Sequence, residues 1–406
     1  MFPVDIEIDN RMLVISRPWA YLQHNLSQIN KNNWEDASNT LWIPEYFLES
    51  ENKTKDMVQE IICIMTIRET NLDSLSRVIS CLFKTYNDNV KLMFQKCIYD
   101  IVFCPIQAEI FKQKIPHIIF LKTMMKYGVA KMEDIVQRIK MYPKTHKAQI
   151  LCFFCYFAQD IYEYSVMNFL SMKEEVLGYR YQIETLKRIS NNFDEYEANN
   201  FLLLNELLEY GWPKYTVEWA IKYDDMDLLH NLYLNPCFSV NKTITESPFA
   251  HYPLITRSTT LIQFAAYFNS VDCFKFLLIN KANIRHTQDY AVAGGNLDIV
   301  HICDNQCLSF DTSVEFSIHY RRFDIFLWLL NQKSNTEQSM DILNMALIWS
   351  VEYNNVKTFF YCIGKGANIN TTDPNGVSFL FFILLYILHL IMDYFILFDS
   401  YYFTQM

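Results

Sequence analysis

The chain has 406 residues, with 45 acidic and 35 basic side chains and a formal net charge of −10. At 51% hydrophobic and 20% charged it has ample material for a core, which excludes an intrinsically disordered chain. It holds 8 glycines, where average usage gives about 28, and this scarcity argues against hairpin-rich sheets and for helices joined by tight loops.

An acidic chain without a dense Lys/Arg run speaks against nucleic acid as partner. The 11 cysteines are odd in number and scattered through apolar stretches, as buried thiols of a reducing, cytoplasmic protein would be. The first eight residues (MFPVDIEI) carry Asp5 and Glu7 where a secretory leader needs basic residues, so no such leader is expected.

Residues 1–50 read as mixed: an extended start, then Trp19, Trp34 and Trp42 with Pro18 and Pro44. Helical spacing begins near Asp56, with Met57, Ile61, Ile62 and Met65, and then Leu72, Leu75, Val78, Ile79 and Leu82. Asn71 and Asp73 supply short polar caps for the second stripe. Further helices are expected at roughly 88–103, 107–127, 131–141, 147–170 and 174–190, with breaks or kinks at Pro105, Pro116 and Pro143. Residues 1–200 are thus expected to form a helical N-terminal domain.

A repeat begins after residue 200. Residues 260–284 read TLIQFAAYFNSVDCFKFLLINKANI: small Ala265 and Ala266, a polar turn at Asn269-Ser270, Asp272, then Phe274, Leu277 and Leu278. Small residues let two helices approach, the turn reverses the chain, and the acid suits the start of a second helix. The pattern recurs on anchors Ala220, Ala265, Ala291, Ser317 and Ser350. Seven residues past each stand Asp227, Asp272, Asp298, Asp324 and, as the exception, Lys357; nine past stand Leu229, Phe274, Val300, Phe326 and Phe359.

This unit resembles the ankyrin repeat, with Leu261 in place of the usual proline and Gln263 in place of the usual histidine. The anchors at 220, 265, 291, 317 and 350 are unevenly spaced, and only the last step, from Ser317 to Ser350, equals the ankyrin period of about 33. The two steps from 265 to 317 are too short for full hairpin fingers, and the first hides an insertion at 235–259. Residues 364–378 (GKGANINTTDPNGVS) nearly complete an ankyrin hairpin. The array is similar to the expanded ankyrin-repeat families of parasitic protists, especially trichomonads. Residues 19–23 (WAYLQ), 94–97 (FQKC), 103–107 (FCPIQ) and 210–213 (YGWP) resemble the helical lead-in of that group.

The expected fold is therefore all-α: a helical domain over 1–200, an ankyrin-repeat array of about five degenerate units over 201–378, and a hydrophobic C-terminal helix in 379–406. In that last segment a sixth unit is announced in register at Ile383, but Ile387-Leu388 stand where a turn belongs. A helix of about 20 apolar residues to Phe398 would span a bilayer. His389 and Asp393 oppose that reading. A degenerate last repeat folded back as a cap, and a shifted-frame terminus, are the other two readings of 379–398.

Candidate chemistry is sparse. Cys152-Phe-Phe-Cys155 has the redox or zinc spacing, but no second ligand pair matches it, and buried core thiols are expected. Cys303 and Cys307 read as packing, and His301 and His319 lack a partner at i+4. Asp224-Asp225-Met226-Asp227 lacks the glycine and distal glutamate of a calcium loop, so capping explains it better. No phosphate-loop, dinucleotide, serine-hydrolase or zinc-protease motif occurs.

The resemblance implies a non-catalytic protein-interaction scaffold without cofactor or metal, binding a protein partner through a concave face and loop tips. Gln263, Tyr267, Asn283, Arg285, His286, Tyr320, Arg321, Arg322, Asn368, Asn370 and Asp373 are the candidate contacts, expected to be exposed. Arg321-Arg322, two guanidiniums in place of a Gly/Asn turn, would clasp an acidic partner. The alternatives are a membrane-tethered adaptor held by 379–398 and, in a different class, an enzyme using the N-terminal domain.

Overall fold

A computed structural model describes residues 10–29, 32–40, 43, 45–67, 72–106, 111–306, 308–310, 312–333 and 339–372. Asp373 and the apolar segment 379–398 lie outside the described residues. Among those described, the elements are helices, with one isolated bridge between Thr243 and Thr260. No described helix is long and apolar enough to cross a membrane.

Two compact units emerge. One comprises Asn25–Lys214 and Glu246–Pro253; the other comprises the chain up to His24, Tyr215–Thr245 and the chain from Leu254. One of the divisions between them falls between Lys214 and Tyr215. Gly211, at φ +81, ends the last helix of the first unit, and the Trp212 ring lies on Tyr252 with centroids 6.1 Å apart.

The helices up to that point are α1 (Asn10–Gln28), α2 (Trp34–Thr40), α3 (Glu51–Ile67), α4 (Leu72–Thr85), α5 (Asp88–Val102) and α6 (Phe111–Lys126). They continue with α7 (Met132–Met141), α8 (Lys147–Tyr164), α9 (Val166–Leu177), α10 (Glu184–Asn191) and α11 (Phe193–Tyr210). Two sequence expectations are corrected here, at residues 10–28 and 147–170. Residues 10–28 are helical despite Pro18, and α6 runs through Pro116, because burial of Trp19, Leu22 and Ile115 outweighs one missing backbone bond. The stretch 147–170 is two helices. Ser165 is extended, and its hydroxyl accepts from the Asn168 amide at 3.3 Å to start α9.

Helix α8 is the core of the helical unit, buried at every residue from Ala148 to Ala158. Phe153 stacks on Phe103 at 4.7 Å, and Phe154 stacks on Phe193 at 5.0 Å and on Phe169 at 5.6 Å. Each such ring contributes roughly 1.5–3 kcal/mol on burial. The buried Lys114 ammonium donates to the Cys104 carbonyl at 2.7 Å, at the negative end of α5, and burial pushes its pKa down to about 8. In α11, Asn199, Asn200 and Phe201 are left-handed, at φ 53, 58 and 62. Left-handed backbone costs about 1–2 kcal/mol per ordinary residue. Burial of the Phe201 ring between Tyr162 and Phe169, edge-on at 5.9 and 5.7 Å, offsets it.

The second unit is a row of helix–turn–helix pairs: α12 (Val217–Lys222) with α13 (Met226–Tyr233), α14 (Leu261–Tyr267) with α15 (Val271–Ile279), and α16 (Gln288–Gly294) with α17 (Leu297–Asn305). The last two are α18 (Ser313–His319) with α19 (Phe323–Lys333), and α20 (Ser339–Glu352) with α21 (Val356–Gly364). First helices pack in chain order from α12 to α20, and second helices do so from α13 to α17. Each anchor residue is buried, with exposures of 0–1%.

The turns share one geometry. Four residues past each anchor the backbone is left-handed, at Asp224 (φ 54), Asn269 (61), Gly295 (89), Arg321 (52) and Asn354 (47). In four of the pairs the next amide returns to the anchor carbonyl: Asp225 to Ala220, Ser270 to Ala265, Arg322 to Ser317 and Asn355 to Ser350, at 2.7–3.0 Å. Asp225, Asn296 and Asn355 then cap the second helices through side-chain oxygens. At the last turn, Gln23 of α1 donates to the Asn354 carbonyl at 2.7 Å and accepts from the Val356 amide at 3.1 Å.

Candidate partner interface

Two positions before the first four anchors stands a polar residue that bonds the segment following its own helix pair, and before the fifth stands the buried Ile348. Glu218 accepts from the Thr245 amide at 2.7 Å. Gln263 accepts from the Thr260 amide at 2.9 Å and donates to the Arg285 and His286 carbonyls at 3.4 and 3.3 Å. Asp289 accepts from the Ser313 hydroxyl at 2.6 Å, and Glu315 accepts from the Tyr353 hydroxyl at 2.6 Å. Burial raises the Asp289 pKa, with the Ser313 and Thr312 hydroxyls acting against it. This column holds the row together from within.

That bonding corrects the expected exposure of three candidates. Gln263 is 9% exposed, Tyr320 1% and Arg321 9%. Arg321 donates to the Asn354 carbonyl at 3.4 Å, and half-buried Arg322 donates to the Ala293 carbonyl at 2.9 Å. The guanidiniums satisfy helix-end carbonyls, so they do not project as a clasp. Asn283, Arg285, His286, Asn368 and Asn370 are exposed at loop tips. Asn283 and Asn368 each receive a tie from another loop or helix, their amides donating to Asn241 and Asn344 at 2.7 Å. Tyr267 is half-buried and edge-on to Tyr320 at 6.0 Å.

A feature that the sequence reading missed lies on the first helices. The residue before each anchor is aromatic in every pair: Trp219, Phe264, Tyr290, Phe316 and Trp349. One turn later, on the same face, stand Tyr223, Phe268, Tyr320 and Tyr353, with Gly294 as the exception. Within a helix the rings meet, Trp219 with Tyr223 at 5.0 Å and Phe264 with Phe268 at 4.7 Å. Phe264 and Tyr320 form buried rungs, Tyr223 is 47% exposed, and the other rings are half-buried. At the exception, α16 presses on α14: a Cβ on Gly294 would lie 2.3 Å from the Ala266 carbonyl oxygen. The column could have been found by aligning the repeats one position before the anchor, where aromatic residues pass singly for core.

Other sites are weaker. Cys152 and Cys155 are buried thiols whose pKa values burial raises, which suits packing. Among the described residues, no group of three or more His, Cys, Asp or Glu is placed to hold a metal ion. A cleft of about 740 Å³ in the helical unit is floored by Tyr99, Phe103 and Tyr142. On its polar rim, Tyr99 bonds Asp134 and Lys96 bonds Glu51. No protein-family model matches the chain, and no curated protein matches it.

Proposed function

We propose that the chain is a non-catalytic recognition scaffold of the ankyrin type, taking a protein partner on the aromatic face of its first helices and on the loop tips. The observation that carries this reading is the aromatic column, repeated in five consecutive pairs on one helix face. A row of rings serves packing within each pair and leaves partly exposed faces that a partner can cover, and aromatic residues dominate binding energy at interfaces. The five left-handed turns and the ordered packing of first helices support the ankyrin assignment.

Photo-crosslinking tests it. A benzoylphenylalanine placed at Tyr223 or Tyr267 in expressing cells should give discrete protein adducts. The same group at Leu234, exposed at the end of α13, should give none. Adducts at Leu234 with none at the two tyrosines would refute the assignment of the face.

A further inference from the structure

In the first four pairs an exposed aspartate follows the turn, at Asp227, Asp272, Asp298 and Asp324. Tyr223 and Phe268 each stand four residues before an exposed aspartate, Asp227 and Asp272, and Asp298 holds the same place in the next pair. None of these three carboxylates takes part in an ion pair among the described residues. The aspartates suit helix N-termini in any case, so they alone would identify nothing. The rings of the preceding first helices, which already hold a cation, supply the independent observation. The protein's own Lys222 ammonium lies 5.9 Å from the Tyr223 ring and 5.6 Å from the Phe268 ring, so this face already accepts a cation. In the fifth pair the aspartate position is Lys357, which lies 4.0 Å over the Phe323 ring. The anionic run ends there. Of the arginines at the turns, Arg321 is buried and Arg322 is bonded to the Ala293 carbonyl.

Resting on the reading of the aromatic face given above, we propose that its rings and flanking carboxylates receive an extended basic segment of a partner protein. Packed helices stand about 8–10 Å apart. A segment in the extended polyproline II conformation has three residues per turn and rises about 3.1 Å per residue, so every third side chain lies on one face and meets a new pair about 9 Å further on. Arginine or lysine at that spacing places a cation over a ring and beside a carboxylate in consecutive pairs.

Fluorescence anisotropy with the full chain tests this. The probe is a labelled ten-residue peptide with arginine at positions 1, 4, 7 and 10 and serine elsewhere. Comparison peptides carry glutamate or proline at those four positions. The arginine peptide should bind at least about tenfold more tightly than either. Tyr223→Leu with Phe268→Leu should weaken it about tenfold, as should the surface triple Asp227→Asn, Asp272→Asn, Asp298→Asn, which should still melt cooperatively but a few degrees below the parent for loss of its helix-start charges. Equal binding of the three peptides, preference for proline, no binding, or insensitivity to both sets of substitutions would each overturn the proposal. Crosslinks at Tyr223 without arginine-peptide binding would remove the basic segment and leave the recognition face standing. Loss of both would remove both.

Discussion

The imidazole of His319 lies flat on the ring of Tyr353, with centroids 4.2 Å apart and planes 3° from parallel. This stack joins the fourth pair to the fifth. It also places a titratable group where a proton is unwelcome: burial, with Arg321 adding to it, pushes the His319 pKa from 6.5 down to about 4.

A folded pKa below the unfolded one gives a stability contribution that is full above pH 6.5 and fades as pH falls toward 4, since the unfolded chain takes the proton first. Between pH 7 and pH 4.5 this group should cost roughly 2–3 kcal/mol. Urea midpoints at both values, for the parent and for His319→Phe, measure it. Identical pH dependence in the two proteins would rule out the role given to His319.

Gly294 and Gly128 separate close packing from backbone strain. A Cβ at 294 would meet the backbone oxygens of Ala266 at 2.3 Å and Tyr267 at 2.9 Å, neither of which can step aside. Gly294→Ala should cost about 1–3 kcal/mol through overpacking. Gly128 has φ +75 with open space around it, so Gly128→Ala should cost only the left-handed strain, about 1–2 kcal/mol. Thermal melts of unit-specific fluorescence would show whether only the first substitution loosens the helix-pair row.

Gln263 bonds a turn on one side and a loop on the other. Gln263→Ala strips the Arg285 and His286 carbonyls of a donor and should destabilise by about 1–3 kcal/mol. Gln263→His restores a donor at that place and should recover part of the loss. A histidine variant no more stable than the alanine one would show that the amide acts by packing alone.

The cysteines make a chemical prediction. Cys63 and Cys237 are exposed, whereas Cys152 and Cys155 are buried with raised pKa values. Iodoacetamide on the native chain, read by peptide mass spectrometry, should label the first two and spare the second two. Early labelling at Cys152 would reopen a redox role.

The helix-pair row was legible because its signal is spread over many positions. The small anchors and polar turns at 224, 269, 295, 321 and 354 had to agree five times, and all five turns are left-handed. Ser165 went unseen because a single cap inside an apolar run leaves no periodic trace. The burial of Gln263 and Arg321 was hidden for another reason. A polar side chain that bonds a backbone carbonyl in the next pair looks, in sequence, like one that faces water. The aromatic column was hidden by its own composition, since in a chain with 16% aromatic residues a ring on a helix reads as core.

The Gln23 bond to Asn354 ties positions 331 residues apart. During synthesis at about 5–20 residues per second, α1 leaves the ribosome roughly 20–60 s before its partner turn exists. The whole helical unit is made in that interval. The last turn of the row must therefore wait on a segment that was translated first and held in reserve. Shortening the chain at its beginning would leave its effect at the far end of the row, where the Val356 amide would lose its acceptor.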